Sequence, residues 1–457
     1  MVTKVSPLRP PGPKGHLLSG NLPELRRDWP GFLTRCTQDY GGVVLLRLGN
    51  RVVYFVADPD GIETVLVTKS RDVIKNFALR KSRSVLGNGL LTSEGDFWRR
   101  QRRLMQPAFH RQRIAGYGSR IVEMTEQMLV SWKHGQVRDI HADMMELTLN
   151  IISKTVFDVD VTGMAHTIDA ALNVLMEDFT QRLSSPILFL VPASAPLPAN
   201  LRVRAAVQQL DALIYRIINE RRLSGEDHGD LLSMLLHAQD EDDGSQMSDT
   251  QLRDEVFTLM LAGHETTALA LSWAWYLLAQ NPVVEIRLYE ELQHVLDGRI
   301  PTMDDLPNLK YTETVILETM RLYPPSWLIG REALEPFMLG SYDVPMGTTL
   351  FMSQWVTHRN PQYFEQPKEF RPERWADGLA KRIPKYAYFP FGGGPRLCIG
   401  NHFAMMEAIL ALATIAQRFQ FRLVEGYPIA LQPSFTLRPQ FGVQVHVHAR
   451  DIKPSKL

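Results

Sequence analysis

Phe391-Gly-Gly-Gly-Pro-Arg-Leu-Cys-Ile-Gly400 is the segment on which the reading of this chain turns. Three consecutive glycines and a proline resist helix and strand, whereas Asn401 to Arg418, directly after them, is strongly helical in pattern. Cys398 therefore sits on a loop that feeds a helix N-terminus. There the unpaired backbone N–H groups and the helix dipole favour a thiolate, and Arg396 adds positive charge two residues away. Taken alone, these residues leave three functions open. A phosphate-binding loop would want a third glycine where Leu397 stands, and no GxxxxGK(S/T) occurs in the chain. A cysteine nucleophile would use His402 as its base, although closeness in sequence is weak support for such a pair. A plain core cysteine is common, but it explains neither the glycines nor the arginine.

Upstream, the longest helix pattern opens at Ser248 with a capping box, Ser-Asp-Thr-Gln, and runs to Gln280 before Asn281-Pro282. Thirty residues from Gln251 would span about 45 Å at 1.5 Å per residue. Its middle, Ala262-Gly-His-Glu-Thr-Thr267, sets a glycine, a carboxylate and two hydroxyls among apolar flanks. Those are poor choices for a buried helix, and such inconsistencies gather where function overrides propensity. Helical periodicity also covers Tyr117–Trp132, Asp143–Phe157, Leu201–Arg222 and Pro282–Leu296. Val43–Leu48 and Arg51–Val56 around Gly49-Asn50 predict a hairpin, and Phe441–His448 predicts a strand. The fold class is mainly α with small β-sheets.

The 457 residues carry fifty Lys+Arg against fifty Asp+Glu, and 45% of them are apolar. A zero balance argues against nucleic acid as a partner, because that needs cations to displace counterions. Two cysteines, Cys36 and Cys398, exclude a disulfide framework and suit a reducing, cytoplasmic setting. No apolar run predicts an integral membrane anchor; Phe257–Ala279 is interrupted by Gly263, His264 and Glu265. Ser185–Asn200 is apolar but broken by prolines, and reads as a loop over the core or against lipid. His446 and His448 share one face of a strand, which is more often a solvated face than a metal site.

The Cys398 segment resembles the haem-binding loop of the cytochrome P450 family, with Phe391, Gly394, Arg396, Cys398 and Gly400 in matching places. Glu318-Thr-Met-Arg321 is similar to that family's ExxR helix motif, and Arg374 to the third member of its Glu-Arg-Arg network. Ala262 to Thr267 resembles the oxygen-activation segment of its long central helix, and Trp98 with Arg102 its WxxxR pair. The likeness runs from Pro10 to the C-terminal strands, and the one departure is Trp375 where the family often has Phe, a replacement expected to be harmless.

The resemblance implies one haem domain over residues 1–457, with haem b held between the long central helix and the Cys398 loop. Cys398 would be the axial thiolate, and Trp98, Arg102, Arg331 and Arg396 would reach the haem carboxylates, with Phe391 and Gly400 completing the loop. The implied reaction is monooxygenation: O2 is split, one atom entering a C–H or C=C bond, with Glu265 and Thr266 as proton relay. Electrons would come from a ferredoxin or flavodoxin-type donor and its NAD(P)H reductase. The arginines at 99, 100, 102 and 103 form a local basic patch that either steers such a donor or is a solvated helix face. Substrate-contact positions carried over from the family are Leu90, Leu91, Phe179, Leu261, Ala262, Trp327, Leu328, Ile329 and Leu437. These are apolar, which implies a lipophilic substrate such as a fatty acid or terpenoid. A peroxide-driven hydroxylase and a non-catalytic haem sensor or carrier are the rival functions, and an intact Glu265-Thr266 pair speaks against both.

Overall fold

The computed structural model describes residues 8–450 except 111–113, 160–162, 186–187, 189–190, 240–243, 245 and 377. In chain order the strands are β1 (Val43–Leu48), β2 (Arg51–Val56), β3 (Val73–Lys75), β4 (Val137–Asp139), β5 (Ile329–Ala333), β6 (Phe337–Leu339), β7 (Tyr342–Val344), β8 (Thr349–Met352), β9 (Phe419–Leu423), β10 (Leu431–Pro433), β11 (Leu437–Pro439) and β12 (Gln444–Ala449). The longer helices are α1 (Trp29–Tyr40), α2 (Gly95–Met105), α3 (Gly118–Leu129), α4 (Ile140–Phe157), α5 (Ala165–Ser184), α6 (Pro198–Ser224), α7 (Asp249–Gln280), α8 (Pro282–Leu296), α9 (Lys310–Leu322) and α10 (Asn401–Arg418). The chain forms two compact units, one from residues 1–81, 321–369 and 377–398, the other from 82–320, 370–376 and 399–457.

The first unit is built on a five-stranded sheet in the order β1-β2-β8-β5-β3, in which β2 and β8 run parallel. The expected hairpin forms over the predicted residues, with Leu48 opposite Arg51 and two residues between them. Gly49 takes the first of those places at φ +62°, a conformation that favours glycine and gives the turn the twist of its strands. The inward row, Tyr54, Val56, Leu350 and Met352 among others, packs with Ile62, Val65 and Leu66 into one core cluster.

The second unit is helical and is centred on α7. Ser248 and Gln251 close the predicted capping box: the Ser248 N–H donates to Gln251 Oε1 at 2.8 Å, and the Gln251 N–H to Ser248 Oγ at 3.3 Å. The helix is 32 residues long, about 48 Å at 1.5 Å per residue, and packs on α4, α6 and α10. The predicted C-terminal strand starts later than expected, at Gln444. Gly442 is in the left-handed region at φ +77°, and the Asp139 carboxylate takes the adjacent Val443 N–H at 2.9 Å, so pairing begins beyond them. Part of the Ser185–Asn200 segment and most of the acidic run 240–244 lie outside the described residues. Pro198 already begins α6.

Candidate active site

The Cys398 loop is a tightly constrained piece of backbone in the first unit. The Gly392 N–H donates to Phe389 O at 2.9 Å, Leu397 N–H to Gly394 O at 3.1 Å, and Cys398 N–H to Phe391 O at 3.0 Å. Gly394 is required twice over: its φ is +65°, and a Cβ there would lie 1.9 Å from Leu66 O. A Cβ on Gly393 would collide with the Tyr386 ring. The loop thus holds Cys398 with its residue exposed, while the other cysteine is sealed in the core. Burial, and then the Asp39 charge, push the Cys36 thiol up to about 11, so it is inert as a nucleophile or ligand. The helix expected after the loop begins at Asn401, with Gly400 at its cap, and the Ala404 N–H donates to Gly400 O at 2.8 Å.

His358 supports the loop: it is fully buried, and its Nε2 accepts the Phe389 N–H at 2.9 Å, two residues before the loop. Arg321 is also fully buried and donates to three carbonyls of the same unit: His358 at 2.9 Å, Pro367 at 2.8 Å and Glu369 at 3.0 Å. In the same unit Arg331 donates to Gly330 O at 2.9 Å, and Arg331, Phe391 and Arg396 are half-buried.

Glu318, in the second unit, is fully buried and accepts three hydrogen bonds: Arg374 Nε at 2.8 Å, Trp375 Nε1 at 2.9 Å and the Arg371 N–H at 3.0 Å. The Trp375 departure is therefore not neutral to the network, because phenylalanine has no N–H to give. Trp98 and Arg102 occupy i and i+4 of α2, hence one face; Trp98 is buried and Arg102 half-buried.

The decisive feature of the second unit is an interruption in burial. From Leu252 to Trp275 every residue of α7 is buried except Ala262, Gly263 and Thr266, which sit at i, i+1 and i+4. They form a single patch on one face of an otherwise sealed helix. Gly263 lies close against α4: a Cβ there would lie 2.8 Å from Ile152 Cδ1, so a larger residue requires the Ile152 side chain to move. The Thr266 hydroxyl donates to Ala262 O at 2.8 Å. Glu265 points elsewhere: it is 97% enclosed from solvent by area, accepts from Arg438 Nε at 2.5 Å, and takes the Thr436 hydroxyl as well. Burial alone would raise its carboxyl, but the Arg438 bond and charge, then Thr436, hold it below its ordinary value. His264 is buried and its ring is driven down to about 4 by desolvation, so it is neutral.

Two further contacts of α7 carried no sequence signal. Asp254 accepts the Asn88 N–H at 2.7 Å and Glu255 the Leu90 N–H at 2.9 Å, so α7 clamps the loop that carries Leu90 and Leu91. Gly87 and Gly89 allow the approach; a Cβ on either would fall 2.0–2.2 Å from the Asp254 carboxylate or the Thr258 hydroxyl. Among the expected substrate positions, Leu90, Leu91, Phe179, Ala262, Leu328 and Ile329 retain exposed surface. Leu261, Trp327 and Leu437 are buried: Trp327 packs edge-on to Trp29 at 5.5 Å, and Leu437 O accepts from Trp273 Nε1 at 2.9 Å. Phe179 meets Phe435 edge-on at 5.5 Å.

These residues fit a haem cofactor. In the first unit a rigid loop presents an exposed soft donor, and in the second the central helix offers a small, otherwise unexplained patch of alanine, glycine and threonine. Among the described residues no helix is long and apolar enough to cross a membrane, and no cluster of His, Cys, Asp or Glu could hold a metal ion. The family model for cytochrome P450 matches residues 10–445. Cyclooctatin synthase of Streptomyces melanosporofaciens is 40% identical over 87% of this chain and 87% of its own length. Cyclooctat-9-en-7-ol 5-monooxygenase of the same organism is 38% identical over 85% and 84%, and pentalenene oxygenase of Streptomyces avermitilis 33% over 88% and 87%. The soft-donor loop, the ExxR helix and the interrupted central helix thus stand in a chain that belongs throughout to the cytochrome P450 family and is a bacterial-type haem-thiolate monooxygenase.

Proposed function

We propose that this monooxygenase oxidises a terpenoid, with haem b as cofactor and residues 1–457 acting as one haem domain. The names of the three relatives support the substrate class, and a match reaching from residue 10 to 445 supports the single domain. A ferredoxin or flavodoxin-type protein, reduced by an NAD(P)H reductase in the cytoplasm, supplies the electrons. The observation that carries the reading is the patch of exposed Ala262 and half-buried Gly263 and Thr266 on an otherwise buried helix.

When bound, the haem supplies O2 activation and transfer of one oxygen atom. The chain's own residues do the rest. Cys398 would hold the haem iron through its thiolate, presented by the glycine-built loop that Phe391 and Gly400 complete. Trp98, Arg102, Arg331 and Arg396 would bind the haem carboxylates, for which a guanidinium fork is the natural partner. Thr266 holds a proton at Oγ1 on the patch. Glu265, kept ionised by Arg438, is an acceptor for a proton rather than a store of one. Arg321 holds the scaffold of the loop's own unit, and Glu318 with Arg374 forms a buried pair in the other. Leu90, Leu91, Phe179, Ala262, Leu328 and Ile329 contact the substrate and exclude water, with Leu261, Trp327 and Leu437 as packing.

The test is a spectral binding titration of cyclic terpene hydrocarbons and alcohols against fatty acids of similar size. Saturable high-spin shifts with the terpenoids are expected; shifts with the fatty acids alone overturn the substrate class. In the same samples, a carbon monoxide band at the histidine-type position overturns Cys398 as ligand.

A further inference from the structure

Residues 16–20 form a small closed turn in the first unit. The His16 N–H donates to Gly20 O at 2.8 Å and the Gly20 N–H to His16 O at 2.9 Å. At its apex stand Leu17 and Leu18, exposed to 87% and 88%. Val130 and Leu223 are as exposed, but each stands singly, which is ordinary for a surface. Two adjacent leucines held out by a hydrogen-bonded turn are not explained by packing, and exposed apolar surface of this kind marks a contact.

The surroundings say with what. The turn rests on the tip of the β1–β2 hairpin, where the Gly49 N–H donates to Ser19 O at 3.0 Å and Arg47 Nη2 to Leu17 O at 3.5 Å. This places exposed Arg47 beside the leucines, and exposed Arg51 and Val52 continue the same hairpin tip. Across residues 8–28 and 43–56 there are six Lys and Arg (Arg9, Lys14, Arg26, Arg27, Arg47 and Arg51) against two carboxylates, in a chain whose overall balance is zero. Of the two carboxylates, Asp28 is paired with Arg35 at 3.3 Å, and Glu24 lies 3.3 Å from the His16 ring. An apolar apex with exposed Arg47 beside it and Arg51 on the same hairpin tip is complementary to a lipid surface with anionic headgroups: the leucines enter the acyl boundary and the arginines meet the phosphates.

We propose that the Leu17-Leu18 turn, with Arg47 and Arg51, docks this enzyme peripherally on anionic bilayers. The docking holds it where a lipophilic compound partitions, and it does not depend on the terpenoid reading. The attachment is reversible, since two side chains and a few cations are far weaker than a spanning helix.

The test is co-sedimentation of the full-length haem-loaded chain with vesicles of phosphatidylcholine alone or mixed with phosphatidylglycerol. Binding to the mixed vesicles, lost at high salt, is expected. Leu17→Ser/Leu18→Ser should weaken it at least about ten-fold, as expected for withdrawing two leucines from lipid, and Arg47→Glu/Arg51→Glu by a similar factor. An unchanged carbon monoxide band and melting temperature show that each variant is folded; both sites are exposed, so neither should unfold it. Failure of the wild type to sediment, equal binding to neutral vesicles, or unaltered binding by the leucine variant each overturns the proposal. So does a sedimentation-velocity result in which the leucine variant instead loses self-association, because the occupant is then a second copy of this chain.

Discussion

Glu265 on α7 and Glu407 on α10 are both carboxylates with almost no solvent exposure, in the same unit, yet their ionisation is opposite. Glu265 faces the Arg438 guanidinium at 2.5 Å and lies below its ordinary pKa. Glu407 lies well above: burial drives it up, the Thr267 side chain eases this only in part, and neither carboxyl oxygen has a close hydrogen-bond partner among the described residues. Glu407 is therefore held towards the neutral acid and Glu265 towards the carboxylate, though Glu265 and Thr267, the residue beside Glu407, are two residues apart on one helix. Depth of burial does not decide charge here; the presence of one arginine does.

Removing that arginine should turn the first case into the second. Arg438→Met leaves Glu265 buried without its counter-charge and is expected to cost about 3–5 kcal/mol at neutral pH. The pH dependence should also reverse. In the wild type the Glu265 contribution is present above the unfolded carboxyl value and lost as pH falls through its depressed one. In Arg438→Met the carboxyl is raised, so stability is kept in acid and lost as pH rises. Denaturant unfolding across pH reads both, and an unchanged midpoint breaks the comparison.

Glu318 is the third member, buried but saturated by Arg374, Trp375 and the Arg371 N–H. Trp375→Phe removes one of those donors and is expected to cost about 1 kcal/mol, read as a lower midpoint with the carbon monoxide band intact. No loss would show that the indole N–H adds nothing to the pair. The smallest effect belongs to Glu407. Glu407→Gln should match wild type to within about 0.5 kcal/mol in acid, since it replaces a neutral acid by a neutral amide. The two should diverge as pH rises, because the native proton of Glu407 stabilises fully below the unfolded value near 4.5 and is lost through its raised one. Parallel curves would mean that Glu407 is ionised like Glu265.

What could be read from the sequence was local. The Cys398 loop announces itself because glycines, proline and arginine fall within ten residues, and the α7 capping box because its two partners are three apart. The β1–β2 hairpin was legible to the residue for the same reason. Arg438 was not, since it lies 173 residues from Glu265 on a short strand and looks like any exposed cation. The clamp of Asp254 and Glu255 on the Asn88 and Leu90 amides was equally hidden: acidic residues near a helix start read as a solvated face, and only the fold buries them. Trp375 was visible but read as a silent replacement, because a hydrogen bond to Glu318 depends on where its ring points.

The parallel pairing of β2 with β8 has a consequence for how the protein is made. Val53 pairs with Thr349, so the two strands are separated by about 300 residues of chain. At roughly 5–20 residues per second on the ribosome, the β1–β2 hairpin waits about 15–60 s before its partner strand exists. Through that interval the open edge of β2, Val53 to Val56, offers unpaired amides and apolar side chains to any passing strand. The half-made chain is thus most exposed to misassembly at its N-terminal end, and expression yield should depend on the rate of translation and on chaperone supply before it depends on haem.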